Sequence, residues 1–246
     1  MTAPTPPPTG IGIPGAPDLG GAEEAPREGS GPSEEGTRAQ YVDAVVDDIQ
    51  TMWDQDIFRP AGRTYRDTSV VLFTDRIDSG CGVASAATGP FYCPADGLVY
   101  LDLGFFRELD QRFGAPGDFA QAYVIAHEIG HHVQTLLGTN AAVQRESRDN
   151  PSERNELSVR LELQADCYAG VWAASVYARG VLEPGDVDEG LAAAAAVGDD
   201  RIQQQTQGRI DPESFTHGTS EQRATWFRTG FESGDPDACD TFDAEI

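Results

Sequence analysis

AYVIAHEIGHHVQ, residues 122–134, sets His127, Glu128 and His131 on one short run of sequence with a helical pattern. Residues four apart fall on the same helical face, one turn apart. Both imidazoles therefore reach a single metal ion from one rigid element. Neutral imidazole nitrogens are ordinary zinc ligands, and a catalytic zinc keeps three protein ligands with an open position for water. Glu128, beside the first histidine, is placed to take a proton from that water. Val124, Ile125, Ile129 and Val133 carry no charge, as a helix buried beneath a site requires. The His-Glu-x-x-His spacing alone also arises by chance. Here, however, three of the chain's four histidines lie in this one run.

Working outward, Asp118 reads as a cap with Gln121 as its capping-box partner, and Gly138 as the stop. These signals predict a helix over 119–137. The third ligand is not a histidine at short spacing, as it is in the three-histidine metzincins. A second long helix is expected from Asn150-Pro151 to Gly180, and it carries Glu162 and Asp166, again four apart. One of these carboxylates can complete the metal triad while the other accepts a hydrogen bond from a ligand imidazole and orients it. Both acids sit in LELQADCYAGVWAA, residues 161–174, an apolar setting where an unpaired charge is costly.

Two histidines remain. His132 points about 100° away from His131 and is assigned to packing or support. His217 lies in SFTHGTSEQ, residues 214–222, just before a helix capped by Thr219 and Gln222. Two roles stand open for it: a donor to the oxyanion of a tetrahedral intermediate, or a local loop or cap contact.

The other elements are read from periodicity. Tyr41, Val45, Ile49 and Trp53 recur at helical steps after Gln40. Residues 69–74, 91–93 and 98–103 read as strands, the region 97–103 as an edge strand that lines the cleft and pairs with extended substrate. A short helix follows in LGFFRELDQRF, a third long one starts at Asp186, and a fourth carries Trp226, Phe227 and Phe231. A helix, a few strands and then a run of helices make the class α+β. Residues 1–39, rich in Pro, Gly and Glu, read as a disordered tail or linker. Residues 40–246 then form one domain.

The formal charge is -24, from 41 acidic and 17 basic residues, all of the latter Arg. That balance argues against nucleic acid and against docking on an anionic membrane. Four cysteines are present without a Cys-x-x-Cys pair. Of the three possible pairings, Cys81–Cys93 with Cys167–Cys239 is favoured, because Cys81 and Cys93 flank a Gly-rich segment able to fold back as a hairpin; the alternative is four inert buried thiols. Two disulfides imply an extracytoplasmic setting. No run approaches the roughly 20 apolar residues of a membrane-spanning helix, and no secretory signal is visible.

GPFYCPADGLVYLDL (89–103), HEIGHHVQ (127–134), ELQADCYAGVWA (162–173) and SFTHGTSEQRATWFRTGFESGD (214–235) together resemble a bacterial family of neutral zinc metallopeptidases. The resemblance spans most of residues 40–240. It implies a zincin-like fold of the Glu-zincin group, one zinc per chain on His127, His131 and Glu162, and a peptide or protein substrate. Family members commonly carry an N-terminal membrane anchor. This sequence starts at its Pro/Gly-rich segment, so attachment would require a further upstream segment. The expected function is a zinc endopeptidase with Glu128 as general base. The alternative is a zinc-binding scaffold or interaction domain without turnover, against which the intact Glu128 speaks.

Overall fold

A computed structural model describes residues 34–85, 88–102 and 104–246. Most of the expected tail lies outside the described residues. Its last part does not: helix α1 runs Glu34–Met52, starting well before Gln40. No proline interrupts residues 34–52, so a helix packed further along extends backward at little cost. Its buried stripe is Val42, Val46, Ile49 and Trp53, with Tyr41 and Val45 only partly covered. The last turn widens into a π-helix, Trp53–Phe58.

The strands are short. β1 (Val70–Phe73), β5 (Leu98–Asp102) and β4 (Phe91–Cys93) form one sheet in the order β1-β5-β4. β1 and β5 are parallel, with Val70 opposite Val99. β4 and β5 are antiparallel, with Tyr92 opposite Val99. The 97–103 strand is therefore the centre of the sheet, which overturns its reading as an edge. Four of its five residues are buried, because a central strand is covered on both sides by neighbours. The edge facing the cleft is β4. A separate hairpin, β2 (Arg76–Ser79) with β3 (Gly82–Ser85), turns at Cys81, and the Cys81–Cys93 disulfide ties that turn to β4.

The helices follow: α2 (Phe105–Gln111), α3 (Asp118–Leu137), α4 (Thr139–Asp149), α5 (Arg154–Ala178), α6 (Asp186–Ala196), α7 (Asp199–Gln207) and α8 (Ser220–Ser233). α3 is the central element, buried along most of its length between α5, α6 and α1. Gly138 ends it in the left-handed conformation, φ 86°. Asp118 does not cap it. Gly117, at φ 118°, holds the cap position, and a side chain there would overlap the Glu189 carboxylate of α6. The Thr219/Gln222 capping box of α8 does form, each side chain bonded to the other residue's backbone. Helices α4 and α7, both polar and without buried residues, carry no core stripe for a sequence pattern to display.

Two close crossings fix the frame. A Cβ on Gly130 of α3 would lie 3.1 Å from the Ala165 carbonyl oxygen of α5. That contact brings the two histidine turns of α3 against the Glu162–Asp166 turn of α5. On the other side of α5, Gly170 faces Phe227 and Gly230 of α8 faces Cys167, each without room for a side chain. The Cys167–Cys239 disulfide joins α5 to the C-terminal segment beside this crossing. A methyl group at 230 would overlap backbone, which cannot swing aside as a side chain can. Gly230→Ala is therefore expected to destabilise the domain by about 2–3 kcal/mol or more, read as a lowered denaturant midpoint. An unchanged midpoint would show that α5 and α8 do not cross this tightly.

Candidate metal centre

α3 presents His127 and His131 toward α5, which presents Glu162. Their ligating atoms lie within 4.8 Å of one another. His127 Nε2 is 3.2 Å from Glu162 Oε2, and His131 Nε2 is 3.4 Å from Glu162 Oε1. Ligands at zinc distances of 2.0–2.2 Å around a tetrahedral ion stand about 3.4 Å apart. The group therefore has the spacing that one small ion demands, and two nitrogens with one carboxylate oxygen suit zinc.

The far nitrogen of each imidazole is already occupied. His127 Nδ1 bonds Asp166 Oδ1 at 2.7 Å, and His131 Nδ1 bonds Gln134 Oε1 at 2.8 Å. A carboxylate and an amide oxygen both accept, so each Nδ1 carries its hydrogen and each Nε2 is left as a lone pair for a metal. Gln134 is held in turn by donating to the Leu161 carbonyl at 2.7 Å and to Gln164 at 3.1 Å. Asp166, fully buried, accepts from Arg223 Nε at 2.8 Å, Arg223 Nη2 at 2.9 Å and the Tyr123 hydroxyl at 2.5 Å. Arg223 also donates to the Val197 carbonyl.

The charges follow from this arrangement. Burial opposes ionisation of Asp166, but Arg223 and His127 override it and hold the carboxyl below its ordinary range. Glu162 is likewise held well below its range, against burial, by His131 and His127. In the metal-free site burial opposes a proton on His127, yet Asp166 and Glu162 push it up to about 10. Burial also pushes the Tyr123 hydroxyl well up, so it stays a donor. Asp166 and Glu162 face the Arg223 guanidinium and the two imidazoles, and once those imidazoles are neutral ligands a divalent cation offsets the remaining negative charge. The donor set, the spacing and the charge all fit a metal ion.

Glu128 is nearly buried, lines the same cavity, and makes no hydrogen bond or ion pair among the described residues. The cavity measures about 980 Å³. Its walls include β4 at Phe91 and Tyr92, Phe105 and Arg112 from the α2 region, and Ile202 of α7. His217 lies on the same wall with its side chain half exposed. Its Nδ1 is 3.2 Å from Asp199 Oδ1, and its backbone N–H donates to Asp199 Oδ2 at 2.6 Å. The Asp199 hydrogen bond, working against burial, raises the imidazole above its ordinary value. Both roles left open for His217 thus have a structural counterpart: a local contact through Nδ1 and a cavity position with Nε2 uncommitted. His132 stays out of the metal group, bonded instead to the Arg66 carbonyl at 2.6 Å and near the Tyr92 hydroxyl at 3.3 Å.

Arg223, Tyr123, Gln134 and Asp199 were not singled out by sequence. Arg223 did leave a trace, since it sits one turn before Phe227 on the buried face of α8. Gln134 sits at the position three after His131, an uncharged polar residue in an apolar helix.

Two imidazoles from α3, a carboxylate from α5 and a small sheet alongside define a zincin-like α+β domain. The family model described as "Putative neutral zinc metallopeptidase" matches residues 15–242, and the chain belongs to that family. It is 52% identical over 209 residues to the uncharacterized protein YpfJ of Escherichia coli (strain K12), covering 85% of this chain and 72% of that one. It is 48% identical over 201 residues to the uncharacterized protein Rv2575 of Mycobacterium tuberculosis (strain H37Rv), covering 76% of this chain and 67% of the relative. No solved structure matches the chain.

Removing a ligand and removing its support should differ in degree. Glu162→Ala is expected to abolish stoichiometric zinc binding in calorimetry. Asp166→Asn, which keeps the shape but weakens the acceptor, should lower affinity roughly 10–100-fold. Wild-type affinity in Glu162→Ala would remove that residue from the ligand set.

Proposed function

We propose that the protein is a zinc-dependent endopeptidase. The observation that carries this reading is Glu128: an uncommitted carboxylate on the cavity wall, one residue from the His127–His131–Glu162 group. A site that only holds a metal for structure has no use for a free acid aimed into a large open cavity. Zinc on His127, His131 and Glu162 would polarise the scissile carbonyl and acidify the attacking water.

The chain's own groups do the rest. Glu128 takes the proton from the attacking water and delivers it to the leaving amine. Asp166 and Gln134 keep His127 and His131 in one tautomer and one orientation. His217, held through Nδ1 by Asp199, offers Nε2–H to the oxyanion. β4 is a sheet edge on the cavity wall, so an extended peptide can add to it by backbone hydrogen bonds, with side chains alternating between cavity and solvent. Phe91, Phe105 and Ile202 make that cavity hospitable to apolar side chains.

The two disulfides support an extracytoplasmic location for the domain. Among the described residues no helix is long and apolar enough to cross a membrane.

The peptidase reading is tested on a peptide library with and without chelator. Glu128→Gln should keep zinc and fold but lose on the order of 100-fold or more in turnover. Near-normal cleavage by the metal-replete variant would sink the mechanism and favour a scaffold role. His217→Ala separates its two roles. As an oxyanion donor it should cost roughly 10–1,000-fold in kcat and kcat/KM together, with KM nearly unchanged. As a loop contact it should instead lower Tm and leave turnover per folded molecule intact.

A further inference from the structure

The loop that follows the π-helix shares no residue with the metal centre and gathers three arginines. A second cavity, of about 580 Å³, is formed by residues of the 54–67 segment alone. Arg59, Arg63 and Arg66 all line it, in a chain where acids outnumber bases by 41 to 17. Arg59 is paired with Asp54 at 2.5 Å. The guanidinium groups of Arg63 and Arg66 make no hydrogen bond or ion pair among the described residues, although Asp67 lies on the same wall. The backbone N–H groups of Thr64, Tyr65, Arg66 and Asp67 likewise have no acceptor among the described residues. Tyr65 is 7% exposed, and its enclosed hydroxyl has no partner. A buried hydroxyl without a partner costs free energy, and native structures keep few of them.

The loop is nevertheless held in place. Arg63 N–H donates to the Phe58 carbonyl at 2.8 Å, and the Arg66 carbonyl accepts from His132 at 2.6 Å. Thr68 N–H donates to Gln50 Oε1 at 2.6 Å, and its hydroxyl to the Gly97 carbonyl at 2.6 Å. Unpaired donors on a fixed loop form a preorganised concavity for an anion. π-turns such as the one at 53–58 often adjoin functional sites.

We propose that the 63–67 loop binds a phosphate group through the Arg63 and Arg66 guanidinium groups and the loop's backbone N–H groups. Guanidinium forks match phosphate and carboxylate alike. The donors here exceed what the two oxygens of a carboxylate can accept, whereas a phosphate group presents three terminal oxygens. The site is independent of the peptidase reading, since it shares no residue with the metal centre.

Inorganic phosphate is the probe. The wild-type chain is melted across a phosphate titration, against acetate and chloride at equal ionic strength. Phosphate alone should raise Tm saturably. In Arg63→Ala/Arg66→Ala, both exposed positions, the phosphate Kd should weaken at least tenfold. In Arg112→Ala, which alters the larger cavity instead, it should not change. A wild-type chain that ignores phosphate, or a double variant that responds like wild type, overturns the proposal. Sedimentation with phosphatidic acid vesicles but not phosphatidylcholine vesicles, lost in the double variant, would identify a lipid headgroup as the source. A response to free phosphate alone would identify a soluble one.

Discussion

Asp166 carries a charge with no exposure to water, and four donors from two other helices converge on its two oxygens. Arg223 reaches it from α8 with two nitrogens, while Tyr123 and His127 reach it from α3. An unpaired carboxylate in that place would cost several kcal/mol, so the helices can only assemble in the register that satisfies it. α5 supplies the acid, α3 the imidazole and α8 the counter-charge. The same register brings Glu162, one turn earlier on α5, against the two Nε2 atoms. The candidate metal centre is thus built on a buried ion pair that contains no metal.

Bringing three helices that close requires small residues where backbones meet. Gly130 against Ala165 sets the α3–α5 distance, and Gly170 with Gly230 sets the α5–α8 distance. Larger residues at these points would push Arg223 away from Asp166 and Glu162 away from the histidines. The Cys167–Cys239 disulfide leaves α5 one residue after Asp166 and pins the C-terminal segment there. Gln164, which supports Gln134, also donates to the Cys239 carbonyl at 3.0 Å. The orientation of His131 therefore depends on a chain of contacts that ends at the C-terminal disulfide.

Much of this was legible because it is local. The i,i+4 spacings of His127–His131 and Glu162–Asp166 project two pairs onto helical faces, and face membership follows from sequence distance alone. Gly138 and the Thr219/Gln222 box are likewise signals read within one turn. What sequence did not show is long-range. Arg223 is 57 residues from Asp166, and nothing in SEQRAT records which acid it will meet. The strand at 98–102 reads as a strand from its β-branched and apolar residues, but its central place depends on β1 pairing from almost thirty residues upstream. α1 showed the right period with the stripe one residue off, because Tyr41 and Val45 flank the buried face that Val42 and Val46 occupy.

The site separates groups that the fold locks from groups that it leaves free. His127, His131 and Glu162 each have their other polar contacts, or their charge, fixed by buried partners, as ligands must if a metal is to find them ready. Glu128 has no partner among the described residues, and the His217 ring is tethered through Nδ1 only. A proton carrier needs that freedom, since its carboxylate must accept from one group and donate to another within a single turnover. The His217–Asp199 pair sits at the junction of α7 and the cap of α8, and α7 buries none of its own residues. The His217 segment is held through its backbone, the N–H groups of residues 216–218 donating to Asp199, while Nε2 of the ring stays uncommitted. A fully bonded set of candidate ligands beside two uncommitted groups gives the proposed peptidase a rigid centre together with side chains free to exchange protons.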